Sequence, residues 1–226
     1  MYNNKAIYES SLVEKFKKYV NNGLFNMEKE FINDFSNTIN SSNFLDIGIG
    51  CGRTTAIFSK LVNNYTGIDY SNNMIKNAKI LFPDLNLKVC DAKNMSIFQD
   101  NTFDIIMFSF NGIDYNNHED RLLILREINR ILKSNGLFFI SSHNLNSDEE
   151  NIKNINNIEY YNYYCIKDSI NDNLLTYYIK PSEFIKQLKN TGFTTKHVYG
   201  YSGEKIDDWD NIPRNNYWPY FLSVKE

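Results

Sequence analysis

The chain alternates short apolar runs with helix-like segments from residue 43 to 142, and this alternation constrains the fold more than any other feature. The runs are rich in Ile, Phe and Val and read NFLDI (43–47), YTGID (65–69), LNLKVC (85–90), FDIIMFSF (103–110) and GLFFISS (136–142). Such runs are typical of strands that are buried on both faces. The clearest helix-like segment covers 118–136, with Leu125, Ile128 and Leu132 on one stripe and Gly136 as its end. The alternation predicts a parallel sheet with helices on both faces.

The segments outside this core predict smaller additions to the same sheet. Two aromatic runs, IEYYNYYCIKD and NLLTYYIK, predict an antiparallel hairpin after a polar stretch. A short helix follows, with Pro181 near its start and Gly192 beyond its end, and TTKHVYGY and WPYFLSVKE predict two final strands. We interpret the chain as one domain (1–226) made of an N-terminal helical cap (1–40), the core (43–142), an inserted hairpin cap (144–180) and a final helix with strands (181–226).

Composition narrows the possible partners. A net charge of −3 and a pI near 5.7 provide no basic field for a nucleic acid. The longest apolar stretches are too short to span a membrane, and residues 1–22 lack a signal-peptide core. Cys51, Cys90 and Cys165 have neither disulfide-framework nor zinc spacing, which favours a reducing cytoplasm. We therefore expect a cytoplasmic monomer or homodimer without nucleic-acid or membrane partners.

Three glycines follow the first strand, in LDIGIGCGRTT (45–55). Ligands of open α/β sheets bind beyond the carboxyl ends of the strands, and a turn without Cβ atoms lets the backbone approach them closely. The spacing is not that of a dinucleotide-binding turn, G-x-G-x-x-G, because Arg53 occupies the position of its third glycine. A phosphate-binding Walker loop is excluded because no G-K-[ST] is present. Spacing alone leaves a simple tight turn as an alternative.

An aspartate stands at the end of each of the first three strands. Asp46 would repel a pyrophosphate but suits a cationic amine or sulfonium. Asp69 can accept hydrogen bonds from both hydroxyls of a ribose. Asp91 can accept from an exocyclic adenine amine, and the Ala92 amide can donate to a ring nitrogen. S-adenosylmethionine combines a cationic amino-acid end, a ribose and an adenine.

Residues 43–142 resemble the class I S-adenosylmethionine-dependent methyltransferase superfamily, in its small-molecule group. The motifs that carry the resemblance are FLDIGIGCGRTT, GIDYSNNMIKNAK, VCDAKNM, FDIIMFSFNGIDY and LREINRILKSNGLFFISSHN. The resemblance implies a Rossmann-like three-layer fold, with a seven-stranded, mostly parallel sheet whose last strand is antiparallel. It also implies S-adenosylmethionine as cofactor, with S-adenosylhomocysteine as product. The cofactor-binding residues that it implies are Asp46, Gly48, Gly50, Gly52 and Arg53, then Asp69, Tyr70 and Met74, then Asp91 and Ala92, and finally Phe108, Ser109 and Phe110.

The expected reaction is direct displacement onto an oxygen or nitrogen of a small molecule of sugar, nucleotide-linked or natural-product type. The segment NGIDYNNHED lacks the acidic pattern of catechol-type enzymes, so we expect no metal. A base near the methyl group would assist a hydroxyl or amine acceptor. His143 follows the fifth strand, and Asp114 and Tyr115 follow the fourth, so these three are the candidate catalytic residues.

Three other functions remain open at this point. One is a catalytically idle, cofactor-binding partner of another enzyme. A nicotinamide-dependent oxidoreductase is disfavoured by Asp46 and Arg53. A protein or RNA methyltransferase is the third; the acidic pI argues against RNA, and no N-P-P-[YF] motif follows the fourth strand.

Overall fold

The computed structural model of the chain describes residues 4–9, 12–147, 159–160, 164–167 and 175–226. The described strands are β1 (Asn43–Ile47), β2 (Asn64–Asp69), β3 (Asn86–Val89), β4 (Phe103–Phe108), β5 (Leu132–Ser141), β6 (Glu159–Tyr160), β7 (Tyr164–Lys167), β8 (Leu175–Tyr178), β9 (Phe193–Tyr199) and β10 (Tyr220–Lys225). Seven of them form one sheet in the order β3-β2-β1-β4-β5-β10-β9. Strands β1 to β5 pair in parallel, whereas β10 is antiparallel to both β5 and β9. This confirms the predicted seven-stranded sheet with an antiparallel last strand.

Helices cover both faces of this sheet. They are α1 (Asn4–Tyr8), α2 (Val13–Tyr19), α3 (Asn26–Asn40), α4 (Thr55–Leu61), α5 (Asn72–Leu81), α6 (His118–Ile131) and α7 (Pro181–Asn190), with 3₁₀ turns at Val20–Asn22 and Gly112–Tyr115. Alternate residues of each strand point to opposite faces, so Leu45 and Ile47 pack in one core with α6 and α7, whereas Phe44 packs in the other with α3, α4 and α5. The central strands β1 and β4 are therefore mostly apolar because both of their faces are buried.

The helix predicted over 118–136 is shorter than its pattern indicates. It ends at Ile131, since Leu132 already has extended backbone angles and pairs with Phe103 of β4. The next pair joins Leu137 to Ile105, so residues 133–136 bulge out of the ladder and Gly136 does not close the helix. Pairing within the sheet overrides the helical spacing of Leu132.

The inserted cap forms a sheet of its own. Strands β6, β7 and β8 pair antiparallel in that order, so the described part has three strands where a two-stranded hairpin was predicted. Residues 148–158, 161–163 and 168–174 of this predicted cap lie outside the described residues. The chain that leaves β8 is tied to the end of β5, because Ile179 N donates to His143 O at 3.2 Å.

The two final strands and the helix that begins at Pro181 are confirmed. None of the helices in the described part of the chain combines the length and the apolarity that a membrane span requires.

Candidate active site

A cavity of about 300 Å³ opens beyond the carboxyl ends of β1 to β4. Strand order reverses between β1 and β4, and open α/β sheets bind ligands at such a switch point. Ten of the sequence-predicted site residues line this cavity: Gly48, Gly50, Asp69, Tyr70, Asp91, Ala92, Phe108, Ser109, Phe110 and Tyr115. The N-terminal helices contribute Asn4, Tyr8 and Phe16, which the sequence did not single out.

The glycine turn after β1 is shaped by backbone angles and by neighbouring rings. Gly48 and Gly50 have φ of 69° and 56°, in the left-handed region that favours glycine. A Cβ atom at Gly48 would approach the Phe108 ring to 3.0 Å, and one at Gly50 would approach the Phe16 ring to 2.9 Å. Gly52 is outside the cavity lining, and a Cβ atom there would come within 2.6 Å of the Phe82 ring. The first two glycines therefore form the cavity wall, and the third serves packing.

Asp69 is held rigidly in the cavity wall. Gly50 N donates to its Oδ2 at 2.9 Å, and Ser71 N donates to its Oδ1 at 2.9 Å. Burial raises the pKa of the Asp69 carboxyl to about 6, while these two backbone hydrogen bonds favour the ionised form. The second-strand acid thus faces the cavity in a fixed orientation.

Asp91 and Ala92 line the cavity after β3, where the adenine was predicted. Asp91 is half exposed, and its Oδ1 accepts a hydrogen bond from Lys93 N at 3.0 Å. The Lys93 ammonium lies 3.1 Å from Asp120 Oδ2 and 3.8 Å from Asp91 Oδ2, and the apolar side chain of Ile124 also lines the cavity. This region combines an acidic rim with an apolar wall.

Asp46 lies beside the main cavity and lines a small cavity of about 20 Å³. The two cavities share Gly48, Ser109 and Phe110 in their walls. Asp46 Oδ2 accepts hydrogen bonds from Thr54 Oγ1 at 2.6 Å and from the Tyr65 hydroxyl at 2.8 Å. Burial raises the pKa of the Asp46 carboxyl to about 7, although both hydrogen bonds favour ionisation.

Arg53 lines the small cavity, but its guanidinium is engaged by protein groups. Both of its terminal nitrogens donate to Glu28 of α3 at 2.7 Å, one to each carboxylate oxygen. The same nitrogens donate to Gly23 O at 3.0 Å and Ser109 Oγ at 3.2 Å, and the guanidinium carbon lies 4.2 Å from the Phe25 ring centroid. Ser109 also hydrogen-bonds Glu28 and, at 2.7 Å, the Tyr220 hydroxyl. Arg53 was predicted to contact the cofactor. Both terminal nitrogens of its guanidinium instead donate hydrogen bonds to protein groups.

Met74, which was predicted to pack on the cofactor, lies away from the cavity lining. Its side chain is fully buried in a cluster with Tyr8, Leu12 and Val13. Its sulfur lies 3.6 Å from the Cys51 sulfur, and the Cys51 side chain is also buried. Helix α5 starts with Ser71 as N-cap, which turns Met74 inward beneath the N-terminal helices.

The candidate base His143 is joined to Asp114. Asp114 is fully buried and pairs with Arg121, so it is not the free base that its position after β4 suggested. It accepts hydrogen bonds from His143 N at 2.6 Å and from Ser142 Oγ at 2.7 Å, and His143 Nδ1 lies 2.9 Å from its Oδ2. The two predicted residues therefore form one unit, in which Asp114 orients the imidazole.

Asn111 separates His143 from the cavity. His143 itself is not part of the cavity lining, but Phe110 and Gly112, on either side of Asn111, are. His143 Nε2 lies 3.3 Å from Asn111 Nδ2, and the Tyr178 ring of β8 lies 4.9 Å from the imidazole, centroid to centroid. Phe110 and Asn111 have φ of 56° and 58°, which is uncommon outside glycine and frequent at functional sites.

Two buried charged residues near the site, Glu28 and Arg121, were not predicted from the sequence. Glu28 follows Met27 and precedes Phe31 on the buried side of α3, and Arg121 lies one turn before Leu125 on the buried side of α6. A charged residue on an otherwise apolar helix stripe is the signal that could have identified both.

Residues 45–140 match the methyltransferase domain family. Among curated proteins, the chain is similar to the demethylmenaquinone methyltransferase of Staphylococcus aureus, with 36% identity over 98 residues that cover 41% of this chain and 39% of that protein. The chain therefore spans about two fifths of the length of the curated relatives that it matches.

Two solved structures illustrate the likeness of the fold. The CcbJ methyltransferase of Streptomyces caelestis superposes with a TM-score of 0.73 at 10% identity, covering 99% of both chains. The 1,6-didemethyltoxoflavin-N1-methyltransferase of Burkholderia thailandensis, solved with 1,6-didemethyltoxoflavin and S-adenosylhomocysteine, gives a TM-score of 0.67 at 15% identity, covering 97% of this chain and 88% of that chain. At these identities the likeness concerns the fold.

Proposed function

We propose that the chain is a class I S-adenosylmethionine-dependent methyltransferase that transfers the methyl group of this cofactor to an oxygen or nitrogen atom of a small molecule. The match of residues 45–140 to the methyltransferase domain family supports this proposal. One observation carries the proposal: the glycine turn, Asp69 and Asp91 surround a single cavity at the switch point of the sheet. When bound, the cofactor supplies a methyl group on a positively charged sulfur. The protein then has to bind the cofactor, to align the acceptor with its methyl group and to exclude water from the site.

The residues around the main cavity fit the nucleoside part of the cofactor. Each carboxylate oxygen of Asp69 uses one lone pair on a backbone amide and keeps another for a ribose hydroxyl. Asp91 offers acceptors to an exocyclic amine, and Ala92 offers a backbone donor next to the apolar Ile124. Gly48 and Gly50 provide wall without side chains, so a ligand can approach the backbone there.

Asp46 is suited to the cationic amine of the methionine end. Two of its four lone-pair sites are used by Thr54 and Tyr65, and the remaining sites can accept from an ammonium group. A cation nearby would favour the ionised carboxyl, whose pKa in the free protein is about 7. Arg53 contributes indirectly, by fixing Ser109 and the turn through Glu28.

A small acceptor with a flat or apolar part fits the aromatic side of the cavity. Rings of Tyr8, Phe16, Phe110 and Tyr115 line it, and Tyr8 packs edge-on against Tyr115 with centroids 5.5 Å apart. The small-molecule class is supported by the Burkholderia enzyme, whose structure contains 1,6-didemethyltoxoflavin. Sugar, nucleotide-linked and natural-product acceptors all remain within this proposal.

His143 is the proposed base. An ionised Asp114 can only accept, so Nδ1 of the imidazole carries the proton and Nε2 keeps its lone pair on the side of Asn111. Proton removal by a base in this position contributes typically about 10²- to 10⁴-fold to rate. Tyr115 remains a second proposed contact to the acceptor because it lines the cavity.

The test combines binding with transfer. Calorimetry with S-adenosylhomocysteine should give a dissociation constant on the order of micromolar, and NADH should give no heat. A transfer assay with methyl-labelled S-adenosylmethionine then surveys a panel of hydroxyl and amine acceptors. Binding of NADH without binding of the sulfur nucleoside would overturn the proposal. Cofactor binding without transfer to any acceptor would instead indicate a catalytically idle partner protein.

A further inference from the structure

A fully buried arginine lies behind the proposed base. Arg121 of α6 has no exposed surface, and its guanidinium forms an ion pair with Asp114. Its second terminal nitrogen lies 3.4 Å from Ser142 Oγ, next to His143 in the chain. Neither the family match nor the site residues expected from the sequence assign a role to this arginine.

The charge of Arg121 determines what Asp114 can do. A buried carboxylate without a counter-charge is strongly disfavoured, whereas one that is paired with a guanidinium stays ionised. An ionised carboxylate accepts the Nδ1 proton of His143 and cannot donate one in return. A protonated Asp114 could donate to Nδ1, and the imidazole proton would then sit on Nε2, where a base needs a lone pair. Arg121 thus selects the tautomer.

The inserted cap covers this arginine. The ring centroid of Tyr177 in β8 lies 4.4 Å from the guanidinium carbon, and that of Phe184 in α7 lies 5.1 Å away. Arginine over an aromatic face is stabilised electrostatically, and more strongly when water is excluded. The guanidinium is therefore fixed between α6, α7 and β8.

We propose that Arg121 is a positioning residue that acts through Asp114 to hold His143 with Nδ1 protonated and with the lone pair on Nε2, the nitrogen that faces the Asn111 amide. The proposal rests on the proposed function in one respect, the assignment of His143 as the base. In this proposal, His143 is oriented by Arg121, which lies under the Tyr177 ring of the inserted cap.

The first test needs no acceptor and no variant of Arg121. Nitrogen-15 spectra of the imidazoles, with the signal of His143 assigned by its loss in His143→Gln among the 3 histidines, report which ring nitrogen carries the proton. We expect the Nδ1-protonated form to dominate at neutral pH. A dominant Nε2-protonated form would overturn the proposal.

The second test separates Arg121 from an ordinary helix residue. Arg121→Lys keeps the charge but loses the two-pronged donor, and Arg126→Lys is the matched control on the exposed side of α6. For Arg121→Lys we expect a mixture of His143 tautomers and a kcat lower by about 10- to 100-fold, with affinity for S-adenosylhomocysteine within about twofold of wild type. If Arg121→Lys does not fold, Arg121→Gln, which keeps an amide donor without the charge, takes its place with the same expectation.

The outcomes distinguish this proposal from the proposed function. An unchanged tautomer with kcat equal to that of Arg126→Lys would overturn the role of Arg121. Failure of both Arg121 variants to fold, while Arg126→Lys folds, would leave the wild-type tautomer as the deciding measurement. A wild-type protein that binds the cofactor and has the expected tautomer, yet transfers no methyl group, would count against the proposed function alone.

Discussion

Replacing Asp46 by asparagine should remove a large pH dependence from the stability of the fold. Asp46 is buried at the end of β1, and burial raises the pKa of its carboxyl from an ordinary 3.8 to about 7. Hydrogen bonds from Thr54 and Tyr65 counter part of this rise. Asparagine has nearly the same shape, and its amide oxygen can still accept from both hydroxyls, which donate to the same oxygen of Asp46, but it does not titrate.

The sign and the size of the effect follow from the two pKa values. Between pH 3.8 and about 7 the folded protein holds a proton on Asp46 that the unfolded chain has released. The preferential binding of this proton by the folded state stabilises the fold. This stabilisation is fully present below pH 3.8 and is lost as the pH rises through about 7. The pKa difference corresponds to about 4 kcal/mol in total, or roughly 1.4 kcal/mol per pH unit within that range.

The assay is urea unfolding of wild type and Asp46→Asn at about pH 4.5, 5.5, 6.5 and 7.5, followed by circular dichroism. Other titrations are common to both proteins, so the difference in unfolding free energy isolates Asp46. We expect the variant to gain stability relative to wild type as the pH rises, and Asp84→Asn, at an exposed position, serves as the control. A difference that stays constant over this range would show that Asp46 is ionised throughout and that the burial argument is wrong.

Three further outcomes are expected. Asp69→Asn should weaken binding of S-adenosylhomocysteine by about 1.5–3 kcal/mol, and wild-type affinity should fall below about pH 6 as the Asp69 carboxyl is protonated, both measurable by calorimetry. His143→Ala should lower turnover by about 10²- to 10⁴-fold in the transfer assay while cofactor affinity stays within a few-fold; near-parent turnover would remove His143 from the mechanism. Glu28→Gln leaves Arg53 buried without its counter-charge and should cost about 3–5 kcal/mol in urea unfolding, whereas Glu14→Gln at an exposed position should not.

The core of the fold was predictable because its strands are buried on both faces. A continuous apolar run carries its own signal, so the bounds of β1 were predicted as they are observed and those of β2 to within one residue. The start of β5 was not predictable. Leu132 continues the helical stripe of α6, and only its pairing with Phe103, far away in the sequence, decides that it belongs to a strand.

The site was predictable where position along a strand determines position in space. The carboxyl ends of parallel neighbours meet at one edge of the sheet, so Asp69 and Asp91 could be placed beside the glycine turn from the sequence alone. The direction of a side chain on a helix is less certain, and Met74 turns inward although its neighbour Tyr70 lines the cavity. The contributions of Tyr8 and Phe16 depend on how the N-terminal helices fold back, which no local pattern reports.

Arg53 connects the residues at the strand ends with the N-terminal helices, and this connection explains why those helices lie at the cavity. In a dinucleotide-binding turn, a third glycine at this position lets helix and strand pack closely. Here an arginine takes that position, and its guanidinium extends to Glu28 of α3, the Gly23 carbonyl and Ser109 after β4. The ion pair of Arg53 with Glu28 therefore joins α3 to the glycine turn after β1. Next to it, the Phe16 ring of α2 fills the space that a Cβ atom of Gly50 would need. The residue that argues against a dinucleotide ligand in the sequence is thus the one that joins the N-terminal cap to the cavity in the fold.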